Sequence, residues 1–177
     1  MTDTTVLPPS VRLEVPYRSQ LDNRNNPHGS DNVTAITMAL LYLGKTGKRL
    51  GNYFEDELYE YMEDNHLDRR APEDLAKVVH DWGCRDDFTF QGSIDMARAA
   101  LAMGNPCVIH GYFTRYGHIV TLVGYNPNGF IVHDSNGEYF IGGYDTRANG
   151  AFLHYSYKLI RKVAMPDNQL WLHRISA

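Results

Sequence analysis

The chain has 177 residues, 43% of them hydrophobic and 21% charged, a balance typical of a globular domain long enough to bury a sizeable core. A formal net charge of −4 with no basic run argues against a nucleic-acid partner or an anionic membrane surface. The first ten residues carry neither the basic flank nor the apolar run of a signal peptide, and no stretch is apolar for long enough to span a bilayer. The expectation is a cytoplasmic protein, or one delivered within a larger particle.

Residues 1–10 read as a flexible polar arm ending at Pro8-Pro9, and residues 11–177 as a single domain. VRLEV at 11–15 alternates apolar and polar side chains, which predicts a short strand stopped by Pro16. DNRNNPHGS at 22–30 contains almost only turn formers and predicts a loop. Val33, Ile36, Ala39, Leu40 and Leu43 then recur at helical spacing, with Asp31 or Asn32 as the expected N-cap and Gly44 as the C-terminal stop. A second helix is expected over 53–65, acidic on one side and aromatic on the other, where it would either rim a cleft or face solvent. A third is expected over Pro72–His80, with Pro72 at a first helical position, and a fourth over Ser93–Met103, stopped by Gly104-Asn105-Pro106.

Beyond residue 106 the pattern changes to short β-branched runs. CVIHGYF at 107–113, HIVTLVGY at 118–125 and FIVHDS at 130–135 predict strands, with Asn126-Pro127-Asn128-Gly129 as a hairpin turn. YKLIRKVAM at 157–165 and QLWLHRI at 169–175 read as further strands. Helices first and an antiparallel sheet after give an α+β fold class, in which the helical layer covers the apolar face of the sheet. Cys84 and Cys107 belong to no CxxC pair and read more simply as buried free thiols than as one disulfide.

A thiol-protease-like site needs a nucleophile at a helix N-terminus, where free amides favour negative charge. It also needs a histidine as base, a group that orients the histidine, and a donor facing the developing oxyanion. The sequence supplies a helix start at Ser30-Asp31-Asn32, a strand-borne His118, an acid at the end of the next strand in Asp134, and an amide donor in Gln20. Each has an ordinary structural explanation as well: a helix cap, a satisfied histidine, a turn cap, a surface amide. His110 and His133 raise a metal reading, but strand alternation sends His133 and Asp134 to opposite faces and no HxH or HExxH spacing occurs. No metal and no cofactor is expected. Tyr53, Tyr59 and Tyr61 read as helix packing, and Gly142-Gly143 as a turn or bulge outside any phosphate-binding pattern.

VPYRSQLDN at 15–23 and NPHGSDNVTAITMALLYLG at 26–44 resemble the opening of the C39-like peptidases, relatives of papain. There a VPYxSQxDN strand and loop lead to a CNVTSxAMxLxYLG helix. GHIVTLVGYNPNGFIVHDSNG at 117–137 resembles the hairpin of the same family that carries its histidine and aspartate. The likeness runs over about residues 11–145. It implies a papain-like fold, an oxyanion-hole role for Gln20, a base role for His118 and an orienting role for Asp134. It also implies that Asp31 occupies the position of the nucleophilic cysteine.

A carboxylate is a weak nucleophile toward an amide and would pair with His118 as an ion pair. Cys84, Cys107 and Ser30 are not expected to replace the thiol. Three readings stay open: a pseudoenzyme that keeps a cleft for a peptide, protein or peptidoglycan stem, a hydrolase with altered chemistry using Asp31 and His118, and an active cysteine peptidase or amidase whose nucleophile has been substituted. The oligomeric state is left open.

Overall fold

A computed structural model describes residues 6–177; residues 1–5, part of the expected N-terminal arm, lie outside the described residues. The first strand, β1 (Val11–Arg12), is shorter than the alternation over 11–15 predicts. The Val15 N–H donates to the Leu13 carbonyl at 2.8 Å, so the backbone turns back on itself and pairing ends.

The apolar spacing after residue 31 produces α1 (Asp31–Tyr42), closed by Gly44 at φ +80°. Its N-cap is Ser30 rather than Asp31 or Asn32, and Asp31 is the first helical residue. The next helices are α2 (Phe54–Asp64) and α3 (Pro72–Asp81), close to their expected bounds. The expected acidic face of α2 is solvated only toward its end, at Glu63 and Asp64, whereas Glu55, Asp56 and Glu57 at its start are all buried. Asp56 and Glu57 turn inward because loops without regular structure leave amides that need acceptors. Asp56 accepts from the N–H groups of Arg24 and Asn25, and Glu57 from those of Lys48 and Arg49.

Two short strands follow, β2 (Arg85–Asp86) and β3 (Thr89–Gly92), then α4 (Ile94–Ala102), capped by the Ser93 hydroxyl accepting from the Met96 N–H. The β-branched runs form β4 (Cys107–Gly111), β5 (His118–Asn126) and β6 (Gly129–His133), so Asp134 lies one residue past its strand. A small separate hairpin comprises β7 (Glu138–Phe140) and β8 (Gly143–Asp145), with Gly142-Gly143 at its turn. The chain ends with β9 (Leu153–Ser156), α5 (Tyr157–Ala164) and β10 (Leu170–Ser176).

α5 corrects the expectation of a strand over 157–165. The Ser156 hydroxyl accepts from the Leu159 N–H, and Tyr157, Ile160, Val163 and Ala164 bury one face at helical spacing.

The main sheet is antiparallel throughout, in the order β2-β10-β4-β5-β6-β9, with β1 added on β5 and β3 on β10. The architecture is α+β, with N-terminal helices packed against a large antiparallel sheet. Both faces of its centre are covered, which is why β5 reads as a continuous apolar run rather than an alternation. Ile119 and Val108 join the cluster under α1, α2 and α3, while Val120, Leu122 and Ile109 join a second cluster with residues of α4 and α5. Among the described residues both cysteines are free and buried, and no helix is long and apolar enough to cross a membrane.

Asp56 is the tie between α2 and the loop that leads into α1. Replacing it by alanine leaves two loop amides without their acceptor in a site only 3% exposed. Asp56→Ala is expected to cost about 1–3 kcal/mol in urea unfolding and to speed hydrogen exchange at Arg24 and Asn25. Unchanged exchange at those two amides would show that the loop is held by something else.

Candidate active site

The start of α1 is fixed by a buried knot of side chains. Asn23 Nδ2 lies 2.9 Å from both Ser30 Oγ and Thr34 Oγ1, and Thr34 Oγ1 donates to the Ser30 carbonyl at 2.7 Å. α1 is docked on β5 by Thr121 Oγ1, which donates to the Ala35 carbonyl at 3.0 Å. These contacts carry Asp31, at the first turn of α1, to the beginning of β5. There its Oδ2 accepts from the Ile119 N–H at 3.0 Å and lies 3.6 Å from Nδ1 of His118.

The other ring nitrogen of His118, Nε2, donates to Asp134 Oδ1 at 2.9 Å. Asp134 is fully buried, and its carboxylate is surrounded by donors. Oδ1 also accepts from the Asn136 N–H, and Oδ2 accepts from Tyr144 Oη at 2.9 Å and Tyr155 Oη at 2.7 Å. The backbone at Asp134 is gripped as well: its N–H donates to the Gly150 carbonyl and its carbonyl accepts from Tyr17 Oη. Gly150 is required there, since a Cβ would lie 1.8 Å from the Asp134 carbonyl oxygen.

The structure therefore brings Asp31, His118 and Asp134 together in one line. Gln20 lies beside them in a different arrangement from the one its sequence position suggests. It is 2% exposed, its Oε1 accepts from Ser135 Oγ at 2.7 Å, and its Nε2 donates to the Pro27 carbonyl at 2.9 Å. One N–H of the amide is thus committed to the loop. Ser30 faces the Asn23 amide, and both cysteines sit in the hydrophobic clusters, so none of these replaces Asp31 in the line.

Burial alone would pull the His118 pKa down. The charge of Asp134, its hydrogen bond and the charge of Asp31 together outweigh burial and raise it above the ordinary histidine value. The phenols of Tyr144 and Tyr155 are pushed up by burial and by the Asp134 charge, so they act as donors and stay protonated. The two carboxylates favour the protonated form of the imidazole that lies between them.

Asp31 and His118 open into a groove of about 1110 Å³ whose walls also include Asp68–Arg70 of the α2–α3 loop, His110, Tyr112 and Trp171. Tyr112 also borders a smaller cavity of about 560 Å³ under the β7–β8 hairpin, where Tyr144 forms part of the wall. Sequence reasoning missed Tyr144, Tyr155 and the loop at 68–70, because only the fold brings them to the site. Among the described residues of the 52–65 segment none lines the groove. Tyr59 instead lies under the Arg69 guanidinium at 3.7 Å. Among the described residues no group of three or more His, Cys, Asp or Glu is placed to hold a metal ion.

A family model described as the Peptidase_C39 like family matches residues 12–165. Two crystal structures resemble the fold. One is a double glycine motif protease from an AMS/PCAT transporter in complex with the leader peptide. It is 15% identical with a TM-score of 0.58, over 93% of this chain and 94% of that one. The other is a protein assigned as a C39-like peptidase from Bacillus anthracis, 14% identical with a TM-score of 0.51, over 95% of this chain and 98% of that one. A comparison with curated proteins found no match.

The raised pKa of His118 links folding to protons. A histidine whose folded pKa exceeds its unfolded value of about 6.5 adds stability that is complete below that value and is lost as pH rises through the folded pKa. Asp31→Asn removes one source of the rise. The expected outcome is a lower His118 titration midpoint by NMR and a flatter fall in urea stability above about pH 6.5. An unmoved midpoint would show that Asp31 does not act on the imidazole.

Proposed function

The chain belongs to the C39-like peptidase family, and on that premise we propose that it is a catalytically impaired member that keeps a peptide-binding groove. In this reading residues 11–177 form one domain, and Asp31 stands where the family carries its nucleophilic cysteine. His118 and Asp134 keep the positions of base and orienting acid, and Gln20 that of the oxyanion donor. The observation that carries it is the Asp31 carboxylate at the first turn of α1, 3.6 Å from a histidine that is itself 2.9 Å from a buried aspartate.

The chemistry explains the impairment. A thiol gives its proton to the histidine and becomes the attacking thiolate, whereas a carboxylate arrives already charged and leaves the imidazole protonated. Attack by Asp31 on an amide would form a mixed anhydride, which lies higher in energy than a thioester. His118, paired on both ring nitrogens, offers no free base to activate water. Binding needs none of these steps. The groove and the helix N-terminus still supply hydrogen-bond donors for a carbonyl. A peptide, including a peptidoglycan stem, is the ligand class proposed, in keeping with the leader peptide held by the related transporter protease.

A second reading, a substituted but otherwise active peptidase, is favoured by the completeness of the support around Asp134. Four donors hold its carboxylate in place, which suits a histidine that must be oriented for proton transfer.

Both readings are tested by Asp31→Cys. A library of peptides and peptidoglycan fragments is incubated with each form and read by mass spectrometry. Turnover is expected only from the cysteine form, exceeding the aspartate form by about a thousandfold or more. Comparable turnover by the aspartate form would overturn the impaired reading.

A further inference from the structure

A second line of buried titratable groups runs from the edge of the sheet to the groove. Asp86 on β2 accepts from Nδ1 of His173 on β10 at 2.7 Å, and His173 Nε2 lies 2.9 Å from Nε2 of His110 on β4. The side chains of Asp86 and His173 are fully buried, and Asp86 Oδ1 has no hydrogen-bond partner among the described residues. A buried carboxylate with one partner is a costly way to fill space, because apolar side chains of similar volume pack there at least as well. Stability alone therefore does not explain the arrangement. Its effect on His110 does.

His173 donates its Nδ1–H to Asp86, so in neutral His173 the Nε2 nitrogen is a bare acceptor. The short contact then requires that His110 donate from Nε2, which leaves Nδ1 of His110 bare. Nδ1 has no hydrogen-bond partner among the described residues, and His110 is part of the groove wall. Burial, the largest cause, holds the His110 pKa down to about 3, so the ring stays neutral. Its plane lies within 23° of the His173 ring that it meets edge to edge, with Phe88 6.2 Å and Trp171 5.8 Å away between ring centroids.

Trp171 has a specific origin too. Strand alternation in β10 turns Trp171 to the face opposite Leu170 and Leu172, the face that also carries His173, and the extra residue at the β10–β3 irregularity lies on β3. Trp171 is 42% exposed on the groove wall beside His110, while Leu170 and Leu172 on the other face are buried.

We propose that Nδ1 of His110 and the ring of Trp171 form a recognition subsite of the groove for a planar side chain bearing an N–H or O–H donor, the plane lying on Trp171 and the donor on His110. Phenol, indole and guanidinium groups share this chemistry, and each stacks on an indole face. The subsite rests on the reading that the groove binds peptides and adds a residue preference to it. A residue that offers no donor leaves Nδ1 desolvated and unpaired, which is how the pocket discriminates.

The test uses the whole protein labelled with ¹⁵N-histidine at about pH 8, where histidine of ordinary pKa is neutral. The probes are the N-acetyl amides of tyrosine, tryptophan, arginine and phenylalanine. In the free protein His110 is expected to carry its proton on Nε2, and Asp86→Asn to populate the other tautomer. Donor-bearing amides are expected to shift His110 Nδ1 and to bind about fivefold more tightly than the phenylalanine amide. The order among the three names the preferred side chain. His110→Phe fills the same space and should erase the difference.

A proton found on Nδ1 in the free protein, or equal affinities for tyrosine and phenylalanine amides, would overturn the subsite. So would the absence of any His110 shift up to about 10 mM probe. Shifts confined to His118 would sink the subsite and leave peptide binding by the groove intact. Shifts at His110 alongside an Asp31→Cys form inert to every peptide would uphold the subsite while the turnover test failed.

Discussion

His118 is buried between two carboxylates, and much of the surrounding fold serves to make that burial tolerable. Removing three ionisable groups from water is costly unless each finds charge or hydrogen-bond partners. Asp134 receives two phenols, a backbone amide and the imidazole. Asp31 sits in the first turn of a helix, where the dipole favours negative charge, and receives the Ile119 amide. The β7–β8 hairpin and β9 are placed so that Tyr144 and Tyr155 reach the same oxygen. Losing any one partner leaves the others with an uncompensated charge in a dry place.

The same interaction decides the chemical character of the site. A neutral thiol next to His118 would leave the imidazole free to accept a proton, with Asp134 ready to steady the resulting cation. A carboxylate at residue 31 brings its charge at the outset and favours the cation beforehand. On the proposed reading, the change from a base to a standing imidazolium follows from one side chain and needs no movement of the backbone.

The two histidine lines that meet the groove illustrate how partners set function. Gly111 lies opposite His118 in the β4–β5 register, so His110 is only one residue away from the strand position facing it. Yet His118 stands between two acids and has a raised pKa, whereas His110 stands behind another imidazole and has a lowered one. The residue type is the same. Two acids push one ring toward the cation, and burial pushes the other toward the neutral form.

Much of the fold was legible because its signals are local. The spacing of Val33, Ile36, Ala39 and Leu40 announced α1, the Asn126–Gly129 turn announced the β5–β6 hairpin, and the switch from helical to β-branched runs announced the α+β class. Asp31, His118 and Asp134 were legible as a set only through family resemblance, since each has an ordinary reading taken alone. α5 reads as a strand because a run this short does not separate the two periodicities and its cap, Ser156, lies outside the run. The acidic start of α2 was misread because composition cannot tell a solvated carboxylate from one that turns inward to meet a loop amide.

Tertiary structure alone decided which groups face Asp134 and His110. Tyr155 is 21 residues from Asp134, and His173 is 63 from His110 and 87 from Asp86, separations at which no sequence period operates. The sequence by itself determined where helices and strands begin, because backbone propensity and side-chain periodicity act over a few residues. The protonation and tautomers of the site were left to the fold, because charge and hydrogen bonding depend on distances that only the packed chain sets.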